Sequence, residues 1–132
     1  MILKKNSIKF FYNETIVFLD KILFKLKENM IEFQYFNGCP NAEKTLSNLK
    51  ELIFEGLIRE DEIKITEVPD IDSARELNFQ GSPTILINGR DIYTEEKPTS
   101  FNYSCRVYTI NGIRTGVLPK EFILEKIKKL RV

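Results

Sequence analysis

The chain has 132 residues, 42% of them hydrophobic and 30% charged, which is enough for one domain whose core needs neither a disulfide nor a metal staple. Twenty basic residues against nineteen acidic ones leave a net charge of +1, so there is no global field for nucleic acid or an anionic membrane, and neither is expected as a partner. Histidine is absent, which removes the usual base beside a catalytic cysteine and every zinc site built on imidazole; no cofactor is expected, and chemistry falls to two cysteines, carboxylates, lysines and backbone.

Residues 1–29 read as a helical extension. Asn13 suits an N-cap, and Ile16, Leu19, Leu23 and Leu26 share one face opposite Glu14, Lys21, Lys25 and Glu28. Asp20, Lys21, Lys25 and Lys27 break the apolar run well short of the ~20 residues a membrane span requires. The stripe is expected to pack on the domain, with a homodimer interface as the second use for it. Two cysteines are too few for a secreted disulfide framework, and no export signal of the expected shape opens the chain, so a reducing, cytoplasmic setting is expected.

The domain proper is expected over residues 30–132. Ile31, Phe33 and Tyr35 alternate with Glu32 and Gln34, the period of a strand with one buried face. Asn37-Gly38 is a turn signal, Cys39 stands at the joint, and Pro40 fits the first position of a helix whose apolar stripe is Ala42, Leu46, Leu49 and Ile53 and whose end is Gly56. A thiol at such a joint is positioned to be reactive, because the unpaired amides and positive dipole end of a helix favour thiolate. Glu62 to Val68 reads as a half-exposed or edge strand closed by Pro69, which completes a β-α-β unit. Asp70 caps a short helix through Ala74 and Leu77, and Gly81-Ser82-Pro83 interrupts the chain before the continuous run Thr84 to Ile87, a central strand. Asn88-Gly89 turns Arg90 to Tyr93 back antiparallel. An insertion around 94–116 carries a second turn signal at Asn111-Gly112, and Pro119 opens a final helix with Ile123, Ile127 and Leu130 on one face.

A cysteine opening the first helix, followed in this order by a Ser-Pro-Thr before the central strand, resembles the thioredoxin-like superfamily over roughly Ile31 to Val132. The resemblance implies an α/β three-layer sandwich with a mixed four-stranded sheet and flanking helices. It also implies a cis Pro83 set against the active Cys39, and a Ser82 that offers its backbone to a bound peptide or thiol. The run Cys39-Pro40-Asn41-Ala42 departs from Cys-x-x-Cys: alanine stands in the resolving position, so no disulfide forms within the motif. Within the superfamily, Gly81-Ser82-Pro83-Thr84-Ile85 with the later Ser104-Cys105-Arg106-Val107-Tyr108 is similar to small prokaryotic proteins labelled alkylmercury lyase-like.

Cys105 is the remaining thiol. The return strand after Asn88-Gly89 leads the insertion back to the Pro83 end of the sheet, from which Cys105 can reach Cys39 as a dithiol redox couple or as a second soft ligand for a thiophilic metal. The competing reading is a small buried hydrophobe on a strand from Arg106 to Ile110. Arg106 could favour a thiolate or hold a substrate carboxylate, or be a solvated surface charge, and Tyr35, Phe36 and Tyr93 could line an apolar approach. The functional expectation is thiol–disulfide exchange through Cys39, with Cys105 or an external thiol resolving the mixed disulfide of a small thiol or protein substrate, and with Ser82, Pro83, Pro40 and Arg106 around the substrate. Capture of a soft metal or organomercurial by the two thiolates, and a redox-inactive scaffold, are the alternatives.

Overall fold

The computed structural model describes residues 30–131; the helix expected before them, its Asn13 cap and its dimer interface lie outside the described residues. The alternating run Ile31–Tyr35 forms β1, with Ile31 and Phe33 buried. It is followed by α1 (Pro40–Phe54), a single turn of 3-10 helix (Glu60–Glu62), β2 (Ile63–Glu67), α2 (Ile71–Leu77), β3 (Thr84–Ile87), β4 (Arg90–Asp91), β5 (Tyr108–Ile110), β6 (Ile113–Thr115) and α3 (Lys120–Leu130). The first four strands make one mixed sheet in the order β2-β1-β3-β4. β1 runs parallel to β2, with Ile31 opposite Ile63, and antiparallel to β3, with Phe33 opposite Ile85. β5 and β6 form a separate hairpin around the Asn111-Gly112 turn. Among the described residues no helix is long and apolar enough to cross a membrane.

Phe33, Leu49, Leu52, Ile85, Ile87, Ile123 and Ile127 belong to one buried cluster, which joins one face of the sheet to α1 and α3. Each such side chain contributes up to about 1.5–3 kcal/mol over its exposed state, and together they fix the Cys39 end of α1 against the sheet. The opposite face of β1 is polar: the Glu32 carboxylate accepts from Gln34 Nε2 (3.1 Å) and from Thr66 Oγ1 (2.8 Å). β3 is buried along its whole length, as a continuous apolar run requires of a central strand. β2, with Ile65 half exposed, is one edge of the sheet and β4 the other.

Local chemistry accounts for the boundaries. Pro40 opens α1, and past its end Gly56 takes a φ of +76°, which lets the Leu57 N–H reach back to the Leu52 carbonyl at 2.9 Å. The buried face of α1 is Ala42, Thr45, Leu49 and Leu52, so the expected stripe is rotated: Leu46 and Ile53 are only partly covered. Thr45 is drawn inward because its hydroxyl accepts the Leu118 N–H at 3.2 Å, ahead of α3. The Asp70 side chain caps α2 by accepting from the Ser73 N–H at 2.8 Å. β4 stops two residues sooner than the sequence predicts, because Asp91 Oδ1 takes the Tyr93 N–H (2.7 Å) and the Asp91 carbonyl takes the Glu95 N–H (2.7 Å), turning the chain.

Candidate thiol site

Cys39 lies between β1 and α1 as the N-cap of the helix, 3% exposed. Its carbonyl accepts the Ala42 N–H at 3.1 Å and starts the helical ladder, but its sulfur does not cap the helix amides. The thiol instead points to the Ser82 carbonyl, Sγ to O 3.8 Å. The Ser82–Pro83 peptide bond is cis, as the resemblance implies, and both residues are buried. Ser82 Oγ accepts the Phe36 N–H (3.2 Å), which ties this turn to the loop ahead of Cys39.

The inserted segment folds onto the same turn. Ser82 and Cys105 form a parallel bridge in which the Ser82 N–H donates to the Ser104 carbonyl and the Arg106 N–H donates to the Ser82 carbonyl, both at 2.9 Å. Close approach of the two segments is possible because residue 81 is glycine, with φ +107°; a Cβ there would sit 2.9 Å from the Ser104 oxygen. Upstream, the Asn102 N–H meets the Phe79 carbonyl at 2.6 Å, and Tyr103 packs edge-on to Phe36 while its hydroxyl donates to Val68 O at 3.1 Å. This strap, residues 102–106, therefore delivers Cys105 beside the Ser82 peptide whose carbonyl receives the Cys39 thiol, and Cys105 is exposed rather than a buried hydrophobe. Both thiols are free.

Arg106 is a strut, and the solvated surface charge is not what the structure holds. Its side chain is 10% exposed, with Nη1 2.6 Å from Asp91 Oδ2 and 3.0 Å from Thr84 Oγ1, while Asp91 is 1% exposed. The guanidinium stacks over Tyr108 (4.6 Å to the ring centroid) and reaches Tyr93 (5.6 Å). Tyr108, buried beside it, donates its hydroxyl to the Pro83 carbonyl. Burial pushes that phenol far above its ordinary range, so it remains a neutral donor. Tyr93 packs edge-on to Tyr108, away from the Cys39 cleft.

Beside Cys39 opens a cleft of about 230 Å³ lined by Tyr35, Phe36, Ala42, Glu43, Leu46 and Ile65 among others. Of the aromatic residues expected to line an approach, Tyr35 and Phe36 do so. Pro40 is exposed at the start of α1, and Pro83 is buried after the Ser82 carbonyl that the thiol faces. Glu43 escaped the sequence reading, although helical spacing places it one turn beyond Cys39. Asp91 and Tyr108 had no local signal, because their role depends on a partner brought in by the insertion. Among the described residues no group of three or more Cys, Asp or Glu side chains is placed to hold a metal ion.

No protein-family model matches the chain, and no curated protein or solved structure matches it.

Proposed function

We propose that the protein is a thioredoxin-like, three-layer thiol protein that carries out thiol–disulfide exchange through Cys39, with Cys105 as the resolving thiol. The observation that carries this reading is the shared peptide: the Ser82 carbonyl faces the Cys39 sulfur and also accepts from the strap that holds Cys105. The Cys39 thiolate attacks one sulfur of a substrate disulfide, forming a mixed disulfide and expelling the other half as a thiolate. The Cys105 thiolate then attacks Cys39 Sγ and releases the second half. An external dithiol reduces the resulting Cys39–Cys105 bond and restores both thiols.

Turnover of a small disulfide with an excess dithiol reductant tests the proposal in wild type, Cys39→Ser and Cys105→Ser. Loss of turnover in Cys39→Ser is the expected pattern, and Cys105→Ser treated with the disulfide alone, without reductant, should hold a mixed disulfide on Cys39. Wild-type rates in Cys39→Ser would remove the proposal. A protein without turnover that binds one thiophilic metal ion per chain, and loses it in either variant, would be read as a metal-capture protein instead.

A further inference from the structure

We infer that the substrate of Cys39 is a small, uncharged, single-ring aromatic disulfide or sulfenyl compound, and neither a polypeptide nor an anionic thiol. The inference rests on the exchange chemistry proposed above and adds what the site selects.

Two sides of Cys39 have different fates in this chain. On the Ser82 side the backbone is closed. An extended peptide needs a free N–H and a free carbonyl to pair with, and at Ser82 the N–H is held by Ser104 while the carbonyl is taken by Arg106 and the Cys39 thiol. The strap is fastened at intervals by Tyr103, by the Arg106–Asp91 ion pair and by the Tyr108 hydroxyl on Pro83, so displacing it means breaking buried contacts. The other side is the cleft, which is partly open to solvent, so its volume sets the size of the group seated against Cys39. A dry cavity of about 150 Å³ takes a benzene ring, whereas sites for drug-sized ligands begin near ~300 Å³; at about 230 Å³ the cleft holds one ring and its sulfur. Tyr35 and Phe36 offer aromatic faces and edges to such a ring. Among the residues lining it no lysine or arginine is present, and the one ionisable side chain other than Tyr35 and Cys39 is the Glu43 carboxylate. A carboxylate-bearing substrate meets no counter-charge there and is repelled by Glu43.

The step is balanced within the disulfide itself. The Cys39 thiolate attacks the near sulfur, the S–S bond breaks, the ring half that occupies the cleft stays on Cys39, and the other half leaves with the electron pair as a thiolate.

The test uses the full chain carrying Cys105→Ser, which leaves Cys39 as the single thiol. Its rates with 4,4′-dithiodipyridine (neutral rings), 5,5′-dithiobis(2-nitrobenzoate) (a carboxylate on each ring) and oxidised glutathione are each divided by the rate of the same protein unfolded in urea. The normalised rate for the neutral probe should exceed those of both anions by about ten-fold or more. Glu43→Gln should raise the 2-nitrobenzoate rate by a few-fold at low salt and lose that effect at about 1 M salt. Ile65→Trp, on the exposed edge strand, should slow the neutral probe by filling the cleft. Equal normalised rates for neutral and anionic probes would overturn the selectivity while leaving exchange at Cys39 intact. Failure of every probe to react with folded Cys39, with normal reaction after unfolding, would overturn both the inference and the exchange reading beneath it.

Discussion

Arg106→Met tests whether the strap that delivers Cys105 is held by a buried charge. The guanidinium lies 2.6 Å from Asp91 Oδ2, and the two side chains are 10% and 1% exposed. Methionine keeps much of the stem volume but removes the charge, leaving Asp91 with the Tyr93 N–H on its other oxygen and no cation beside it. Stranding one member of a buried pair costs about 3–5 kcal/mol, and lost stacking on Tyr108 and Tyr93 adds roughly 0.5–2 kcal/mol. Set against the ~5–15 kcal/mol that holds a typical domain together, that is a large loss, and the variant should unfold at much lower urea with an unchanged denaturant slope. Asn at position 91 still accepts from the Tyr93 N–H but carries no charge. Arg106→Met with Asp91→Asn should therefore recover about 2 kcal/mol relative to the single variant. Amide exchange at Ser82 and Arg106, the two hydrogen bonds that clip the strap to the turn, should accelerate in Arg106→Met. A loss under about 1 kcal/mol, the scale of an exposed pair, or a double variant less stable than the single one, would refute the strut.

Other outcomes follow from the same contacts. Gly81→Ala forces a side chain into a backbone with φ +107° and places its Cβ 2.9 Å from the Ser104 oxygen, so it should cost at least about 1–3 kcal/mol and loosen the same two amides; a wild-type urea midpoint would contradict the close approach. Hydrogen bonds from Lys126 and then Lys129 hold the Glu95 carboxyl well below its usual 4.5, at about 2. The native pKa lies below the unfolded one, so Glu95 stabilises the fold above about pH 4.5 and that contribution is lost as the pH falls toward about 2. Glu95→Gln should flatten the thermal midpoint across that window, and an unchanged acid slope would remove Glu95 from the link between the β4 turn and α3.

Much of the scaffold was legible because its signals are local. The alternation at Ile31 to Tyr35, the Asp70 cap, the apolar run of β3 and the Asn88-Gly89 and Asn111-Gly112 turns each depend on a few adjacent residues, and each is where the sequence places it, while Pro119 sits one step outside its helix, as the N-cap ahead of Lys120. The covered face of α1 was less legible: apolar spacing favours Leu46 and Ile53, but the hydroxyl of Thr45 is needed by the Leu118 amide, which turns the helix. The strap was legible only as a destination. Sequence order indicated that the chain after β4 returns to the Pro83 end, yet nothing near Arg106 announces a carboxylate fifteen positions earlier, or that Cys105 is exposed beside Ser82 while Cys39 is almost covered. Long-range polar pairing leaves no period in the sequence, whereas hydrophobic faces do.

The most direct test of the paired thiols is mild oxidation of the full chain with one equivalent of diamide, followed by intact mass and peptide mapping. A monomer that has lost two hydrogens, with a Cys39–Cys105 cross-link mapped across the Ser82 turn and absent from either serine variant, is the predicted result. Dimers joined through exposed Cys105, with Cys39 left as a free thiol, would contradict the couple.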